Sequence, residues 1–287
     1  MISEVGASVA EDISEASGVR GLNLVHNRPL EQLLFDRNLM GVDFRSACLE
    51  ASRFFVAHIA NEISAASELV ILSKGLMYQL AEAARLECQL NLPMNLIATS
   101  RQAVTSQDAM VDVAYSRFDA GGETLLIGDT VASGATIVAA LAKYCSEHEL
   151  KRLYVFSYAG ALVGAARVSE YCRDHDIELT MLFGLAAFGL GSNGFDLSFL
   201  HPQSMARQEY IARARRQFEG HPVSAVGWDF GAQSMSPEKY RELCWVEAKM
   251  WGLEGSQCLA KVSRPVSFAN IRSESGAYDG IFSPDDY

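Results

Sequence analysis

The chain has 287 residues, of which 49% are hydrophobic and 21% are charged, and its formal net charge is -11. This length allows one large α/β domain or two small ones, and the composition is that of an ordinary globular protein. The acidic balance argues against broad nucleic-acid binding, which depends on clustered Lys and Arg side chains that meet phosphates. A local basic pocket for a small anionic ligand is still compatible with this acidic net charge.

The cysteines and the N-terminus predict the cellular compartment. The six cysteines are scattered, without a CxxC motif or zinc-type spacing, which favours ordinary thiols in a reducing compartment. The first residues are acidic and Ser-rich, unlike a signal peptide, and no apolar run approaches the roughly 18 to 20 residues of a membrane span. We therefore expect a cytoplasmic protein.

The N-terminal part of the chain is predicted to be a tail followed by helices. Residues 1–20 have the composition of a mobile tail. Between residues 30 and 66 the apolar positions recur at helical spacing. This spacing predicts one or two amphipathic helices that pack on a sheet.

Five short apolar runs follow, and each is typical of a strand buried on both faces. The runs cover residues 68–73, 94–100, 124–129, 152–160 and 178–188, with helical patterns between them at 75–88, 134–148 and 161–175. Strands that alternate with helices indicate βαβ units and a parallel sheet. Ligands of such folds bind at the carboxyl ends of the strands, so the strand-to-helix loops are the candidate site.

The C-terminal third has a different pattern. A basic helix is predicted at 206–218, and a second helix follows, with Ser236 as cap, Pro237 in its first turn and Gly252 after its last apolar residue. We divide the chain into a tail (1–20), an α/β domain that includes the N-terminal helices (21–220) and an extension packed on the core (221–287).

The segment LLIGDTVASGATI, residues 125–137, joins a strand to a helix through a loop of small residues. Small residues let backbone amides approach an anion, and a helix N-terminus adds free N–H groups and partial positive charge. The hydroxyls of Ser133 and Thr136 add donors, while the lysine of a Walker loop is missing. Asp129 would repel a phosphate and suits a ribose hydroxyl or an indirect metal contact. A sugar phosphate would supply both the phosphate for the loop and the hydroxyls for Asp129. The alternative is an ordinary strand, Asp cap and helix.

This segment resembles the phosphoribosyl pyrophosphate (PRPP) loop of type I phosphoribosyltransferases, in which a strand and two acidic residues precede a TG-x-T turn. Asp129 matches the second acidic residue, and Ser133, Gly134 and Thr136 match the turn. Gly128 stands where the family has its first acidic residue. Ala132 stands where purine-salvage members often carry an Asp, so the usual hypoxanthine or guanine site is not expected.

A second segment carries the resemblance further. VILSKGLMYQLAEAA, residues 70–84, is predicted to be a strand, a tight turn and a helix. In the family this turn binds pyrophosphate through backbone amides, often with a cis peptide, which by resemblance would join Ser73 and Lys74. Ser73, Lys74 and Gly75 would then bind pyrophosphate, although Lys74 taken alone is more typical of a solvated turn lysine.

The polar segment from Arg101 to Glu123 is too long for a simple connection and is predicted to fold as a hairpin or a lid. In the family this position holds the catalytic loop that closes over PRPP. The resemblance therefore makes Arg101 and Arg117 candidate catalytic residues that contact pyrophosphate. A surface hairpin with exposed arginines is the alternative.

Together these matches imply an α/β core like that of type I phosphoribosyltransferases, flanked by helices. They imply transfer of a 5-phosphoribosyl group from PRPP to a small-molecule nucleophile, with Mg²⁺ carried by PRPP and no direct metal ligand from the protein. A non-catalytic PRPP-binding regulator of the same fold is the first alternative. Enzymes with such sheets often dimerise, so a homodimer is a hypothesis. The residues assigned to the 5-phosphate and ribose are Asp129, Thr130, Ala132, Ser133, Gly134, Ala135 and Thr136.

The segment GLGSNG, residues 189–194, satisfies the GxGxxG pattern and raises the alternative of a nicotinamide-dependent enzyme. That mechanism needs a helix directly after the glycines. The residues that follow, FDLSFLHP, are too short and end in proline, so we predict a loop beyond the last core strand. Phe188 and Asp196 flank this loop and are candidates for contact with the acceptor. Asp229 is expected to form a turn.

Overall fold

The computed structural model of the protein describes residues 9–36, 39, 41–102, 110–190, 197–218, 220 and 224–226, with only the backbone at 9, 101, 102 and 110. The helix predicted after Ser236 and the turn at Asp229 lie outside the described residues. No helix in the described part of the chain combines the length and apolar composition that a bilayer crossing requires.

The five predicted runs form strands in chain order, and further strands lie before, between and after them. The strands are β1 (Val9–Asp12), β2 (Leu22–His26), β3 (Ser67–Leu72), β4 (Met94–Gln102), β5 (Met110–Arg117), β6 (Thr124–Gly128), β7 (Arg152–Ser157), β8 (Gly160–Ala161), β9 (Glu178–Gly184), β10 (Ala186–Phe188) and β11 (Met205–Ala206).

Helices connect these strands. They are α1 (Ser14–Ser17), α2 (Arg28–Phe35), α3 (Gly41–His58), α4 (Leu80–Cys88), α5 (Ala135–Cys145), α6 (Leu162–Asp174) and α7 (Gln208–Gln217), and a 3-10 turn spans Lys74–Met77. The region predicted as one or two amphipathic helices contains two, α2 and α3. The basic helix predicted at 206–218 is α7.

Eight strands form one mostly parallel sheet in the order β1-β2-β9-β7-β6-β3-β4-β5. Only the edge strands β1 and β5 run antiparallel to their neighbours, while the six strands between them are parallel. From β3 the chain moves outward to β4, and it then returns to the other side of β3 as β6. The order therefore reverses between β3 and β6, where open α/β sheets bind their ligands.

The sheet is covered on both faces, as the continuous apolar runs predict. Along β6, Leu125 and Ile127 pack with α5 and α6 on one face. Leu126 points to the other face, where α2, α3 and α4 lie. The α/β fold with a parallel core and flanking helices is thus confirmed.

Two of the predicted apolar runs are divided in the structure. The run at 178–188 is interrupted at Leu185, whose φ is +60°, so that β10 leaves the main sheet. β10 instead joins β8 and β11 in a three-stranded sheet, and the run at 152–160 likewise contains β7 and then β8. An apolar run cannot show such a break because both halves are buried.

Residues 9–20 differ from the predicted tail, since β1 pairs along its length with β2. The backbone partners that β2 offers at the edge of the sheet outweigh the tail-like local composition. Residues 1–8 lie outside the described part of the chain. In the predicted C-terminal extension, the N–H of Ala225 donates to the carbonyl of Leu197, and both side chains are buried.

Glu68, near the start of β3, is a buried carboxyl group, and we expect it to make stability depend on pH. Burial, reinforced by the Glu82 charge, raises the pKa of Glu68 to about 7 from 4.5, although backbone N–H groups of Ala81 and Leu80 oppose the rise. The folded state therefore keeps a proton that the unfolded state loses above about pH 4.5, and stability should fall as pH rises from there to about 7.

The Glu68→Gln variant should remove this dependence. Relative to wild type it is expected to gain up to roughly 3 kcal/mol of unfolding free energy between about pH 5 and about pH 8. Denaturant unfolding of both proteins at the two pH values measures the change. Glu149→Gln, at an exposed carboxylate, is the control and should show no gain; an equal gain in both variants would contradict the assignment to Glu68.

Candidate active site

A cleft of about 280 Å³ opens at the carboxyl ends of β3, β4 and β6, where the strand order reverses. It brings together residues predicted from two separate segments of the chain, the turn at 73–75 and the loop at 129–136. The lining residues are Ile71, Leu72, Ser73, Lys74, Thr99, Asp129, Thr130 and Thr136.

Asp129 directly follows β6 and is held by hydrogen bonds on both sides. Its N–H donates to the carbonyl of Phe156 in β7 at 3.1 Å, and its Oδ1 accepts from the N–H of Thr130 at 2.8 Å. The residue is only 7% exposed. The carboxylate is therefore fixed at the wall of the cleft, with little freedom to turn towards solvent.

The loop after Asp129 is anchored to the neighbouring strand end. The N–H of Val131 donates to Ser157 Oγ at 3.1 Å, and the N–H of Ala161 donates to the carbonyl of Val131 at 2.7 Å. Helix α5 then begins after Gly134, whose carbonyl accepts from the N–H of Val138. The first N–H groups of a helix have no partner within it, so the start of α5 offers donors to an anion.

Gly134 is required by its conformation and by its neighbour. Its φ is +75°, and a Cβ added there would lie 2.6 Å from the carbonyl oxygen of Gly164 in α6. At Gly164 a Cβ would meet the carbonyl oxygen of Ala132 at 2.3 Å and the nitrogen of Gly134 at 2.9 Å. The loop and the first turn of α6 thus pack backbone against backbone, which only glycine permits.

The turn after β3 forms the opposite wall of the cleft. The structure places the cis peptide between Leu72 and Ser73, not between Ser73 and Lys74 as predicted. The difference follows from where β3 ends, since Leu72 is its last residue and the turn begins with the next peptide. Gly75 is buried, and a Cβ there would lie 3.3 Å from the carbonyl oxygen of Gly128. The two walls are in direct contact at this point.

Gly128 is covered by the ring of Tyr78. A Cβ added at Gly128 would lie 2.3 Å from Cγ and 2.4 Å from Cβ of Tyr78. An acidic residue at position 128 is therefore excluded while Tyr78 keeps its place. The missing first acid of the motif is thus matched by a bulky residue fifty positions earlier, a pairing that the sequence pattern alone does not reveal.

The two arginines predicted to contact pyrophosphate lie at opposite ends of the β4–β5 hairpin. Arg101 is at the carboxyl end of β4, on the side of the cleft. Arg117 pairs in register with Leu96 near the amino end of β4 and forms an exposed ion pair with Asp119. The structure does not bring Arg117 to the cleft because β5 runs antiparallel and carries it away. Between the two strands, residues 103–109 lie outside the described part.

The structure does not bring Phe188 to the cleft either. The ring is fully buried and packs edge-on against Phe199, 5.0 Å between centroids. The ring therefore packs in the core and does not line the cleft, which gives no support to the predicted acceptor contact. Asp196 lies outside the described residues.

Residues 191–194 of the GLGSNG segment lie outside the described part of the chain, which includes only its first two residues and then resumes at residue 197. No helix begins among residues 197–207, and the next described helix is α7. The N–H of Gly189 donates to Ser204 Oγ, and a Cβ there would overlap the ring of His201. This glycine is explained by packing against His201.

Thr99 is a cleft residue that the sequence analysis did not single out. The register between β4 and β5 shifts at this position, from Ala98 opposite Tyr115 to Thr99 opposite Val113. Such bulges reorient side chains and are common beside active sites. The available signal was the polar end of the run MNLIATS, since polar residues at the carboxyl end of a parallel strand face the ligand edge.

The cleft offers few side chains for the Mg²⁺ that the family resemblance implies. No group of three or more His, Cys, Asp or Glu side chains suited to a metal occurs among the described residues. Asp129 contributes a carboxylate and Ser73 a hydroxyl to the cleft. Mg²⁺ often binds through one or two carboxylates, waters and substrate phosphates. The cleft therefore fits an ion that enters with a phosphorylated ligand.

Among known proteins, only solved structures resemble this chain. No protein-family model and no curated protein matches the chain. Adenine phosphoribosyltransferase from Trypanosoma brucei is 13% identical with a TM-score of 0.39, over 62% of this chain and 86% of that one. Phosphoribosyltransferases are thus among the structures that this chain resembles. Adenine phosphoribosyltransferase from Leishmania donovani is 16% identical with a TM-score of 0.36, over 57% of this chain and 84% of that one.

The AQ2163 protein from Aquifex aeolicus is 15% identical, with a TM-score of 0.49 over 60% of this chain and 91% of that one. These TM-scores are all below 0.5, so the likeness carries no statement about the activity of this chain.

Proposed function

We propose that the protein is a phosphoribosyltransferase that transfers a 5-phosphoribosyl group from PRPP to a small-molecule nucleophile. The observation that carries this proposal is the meeting of the 73–75 turn and the 129–136 loop in one cleft at the reversal of strand order. The wall formed by the 129–136 loop suits a sugar phosphate beside the Asp129 carboxylate. The wall formed by the 73–75 turn offers backbone amides and Lys74. PRPP carries a phosphate at C5 and a pyrophosphate at C1 of one ribose and matches this arrangement.

In the proposed reaction, the bond between C1 of ribose and pyrophosphate breaks, and pyrophosphate leaves with the electron pair. The nucleophile forms the new bond to C1 from the opposite face and releases its proton to solvent. The loop from Ala132 to Thr136 holds the 5-phosphate, Asp129 accepts from ribose hydroxyls, and Ser73 to Gly75 bind pyrophosphate. Donors fixed in advance around developing charge lower the barrier. Mg²⁺, when bound, neutralises charge on the leaving pyrophosphate.

Ligand-dependent unfolding tests the proposal. PRPP with Mg²⁺ at about 100 times its Kd is expected to stabilise the folded state by roughly 2.7 kcal/mol. NAD is the comparison ligand and should produce no shift. Pyrophosphate release is then measured with a panel of nucleobases and amines as acceptors. A shift with NAD and none with PRPP would contradict the proposal.

A second candidate is a regulator of the same fold that binds PRPP without turnover. It is favoured by the Tyr78 ring over Gly128, which leaves Asp129 as the single acidic residue of the motif. Binding of PRPP without pyrophosphate release across the acceptor panel would select this candidate, whereas release with any acceptor would exclude it.

The acceptor, a cytoplasmic location and a homodimer remain predictions from the sequence. Arg101 remains a candidate pyrophosphate ligand, since the backbone of β4 carries it to the cleft side of the sheet. Ala132 makes the common purine-type contact unavailable at that position, so we propose an acceptor other than hypoxanthine or guanine.

A further inference from the structure

Tyr78 lies where the two walls of the cleft meet the end of β7. It directly follows the 3-10 turn at Lys74–Met77, and its N–H donates to the carbonyl of Gly75 at 3.1 Å. Its hydroxyl oxygen accepts from the N–H of Tyr158 at 3.1 Å. The side chain is 1% exposed, so it acts within the protein and does not contact a ligand.

The ring of Tyr78 is clamped between two surfaces. One is the backbone of Gly128, as the short distances to an added Cβ show. The other is the ring of Tyr158, stacked at 4.0 Å between centroids with an angle of 6°. Tyr158 is anchored in turn, since its hydroxyl lies 2.8 Å from both the Cys48 carbonyl and Ser52 Oγ in α3.

The surroundings of the hydroxyl keep it protonated. Burial, followed by the charge of Asp129, raises the pKa of Tyr78 far above its ordinary range. The Tyr158 N–H and the hydroxyls of Thr130 and Ser157 act in the opposite direction without overcoming the rise. The phenol is therefore neutral at ordinary pH, and its oxygen accepts from the N–H of Tyr158.

We propose that Tyr78 is a positioning residue that fixes the Asp129–Thr130 turn relative to the Ser73–Gly75 turn. Its backbone is bonded to the first turn, its ring supports the glycine before Asp129, and its hydroxyl is bonded to the backbone just after β7. The ring fills the space beside Gly128, and the hydroxyl holds the ring there through its bond to the backbone of Tyr158. The expected effect on PRPP rests on the proposed function.

The Tyr78→Phe variant separates the hydroxyl from the ring. The Kd for PRPP with Mg²⁺ is expected to rise about tenfold, the effect of one well-placed hydrogen bond. Tyr154→Phe is the matched control, because Tyr154 is also buried and loses a hydroxyl bonded to Glu62 at 2.6 Å, nearer the amino end of β7. Its Kd is expected to stay within about threefold of wild type.

A readout without ligand makes the test independent of PRPP. Amide hydrogen exchange in residues 73–78 and 129–133 should be about tenfold faster in Tyr78→Phe than in Tyr154→Phe. The Kd penalty of Tyr78→Phe should also shrink in an Asp129→Asn background if the hydroxyl acts through Asp129.

The outcomes distinguish the two proposals. If wild type binds no PRPP, the proposed function fails, and the exchange comparison alone decides the role of Tyr78. Equal exchange in the two variants at these segments would overturn the positioning role. Failure of Tyr78→Phe to fold would also overturn it, because the hydroxyl would then serve the whole fold.

Discussion

Replacing Asp129 with Asn is expected to lower pyrophosphate release from PRPP by on the order of tenfold to a thousandfold. Asn preserves the size of the side chain and an oxygen to accept from the N–H of Thr130. The change therefore removes the charge that would stabilise a positive ribose in the transition state, with little disturbance of the loop. We expect the loss mainly in kcat, since the interaction strengthens as the C1 bond to pyrophosphate breaks.

The measurement is pyrophosphate release with water and with the acceptor panel, beside PRPP affinity for both proteins. Asp174→Asn is the matched control, because Asp174 is an exposed carboxylate at the end of α6 that pairs with Arg173. It should retain full activity. Activity of Asp129→Asn within a few-fold of wild type would remove Asp129 from the mechanism.

Replacing Gly164 with Ala is expected to destabilise the fold by about 1 to 3 kcal/mol and to weaken PRPP binding tenfold or more. The added methyl group would lie 2.3 Å from the Ala132 carbonyl oxygen and 2.9 Å from the Gly134 nitrogen, both backbone atoms of the loop. Since backbone atoms cannot turn aside as a side chain does, the loop itself must move. A residue of α6 outside the cleft would thus control phosphate binding.

Chemical denaturation and titration with PRPP and Mg²⁺ measure the two effects. Gly122→Ala is the control, since a Cβ there would have ordinary contacts at 3.8 Å and its φ is not positive. It should leave both properties nearly unchanged. Unaltered PRPP affinity in Gly164→Ala would show that the loop is not held in place by α6, or that it does not bind phosphate.

The two variants address different links between structure and function. Asp129→Asn tests whether the cleft carries out chemistry, and Gly164→Ala tests whether the loop geometry depends on a neighbouring helix. A regulator that binds PRPP without turnover would respond to the second change only. Together with Tyr78→Phe, they examine the wall formed by the 129–136 loop and the contact that joins it to the 73–75 turn.

The sequence by itself determined the local elements of this protein. Continuous apolar runs predicted β3, β4, β6, β7 and β9, because a strand buried on both faces needs apolar side chains at every position. The strand, small-residue loop and helix around Asp129 were likewise predicted, since this motif consists of residues that are neighbours in the sequence. The two loops that line the cleft could therefore be found without a structure.

Only the tertiary structure decided which distant residues meet. Tyr78 occupies the space beside Gly128, and Gly164 receives the loop at Gly134, although each pair is separated by thirty or more positions. Because β5 runs antiparallel to β4, Arg117 lies away from the cleft. Thr99, which lines the cleft, lies at the bulge between β4 and β5. Periodicity records which face a residue presents, whereas contacts between segments depend on strand order and direction, which no single segment encodes.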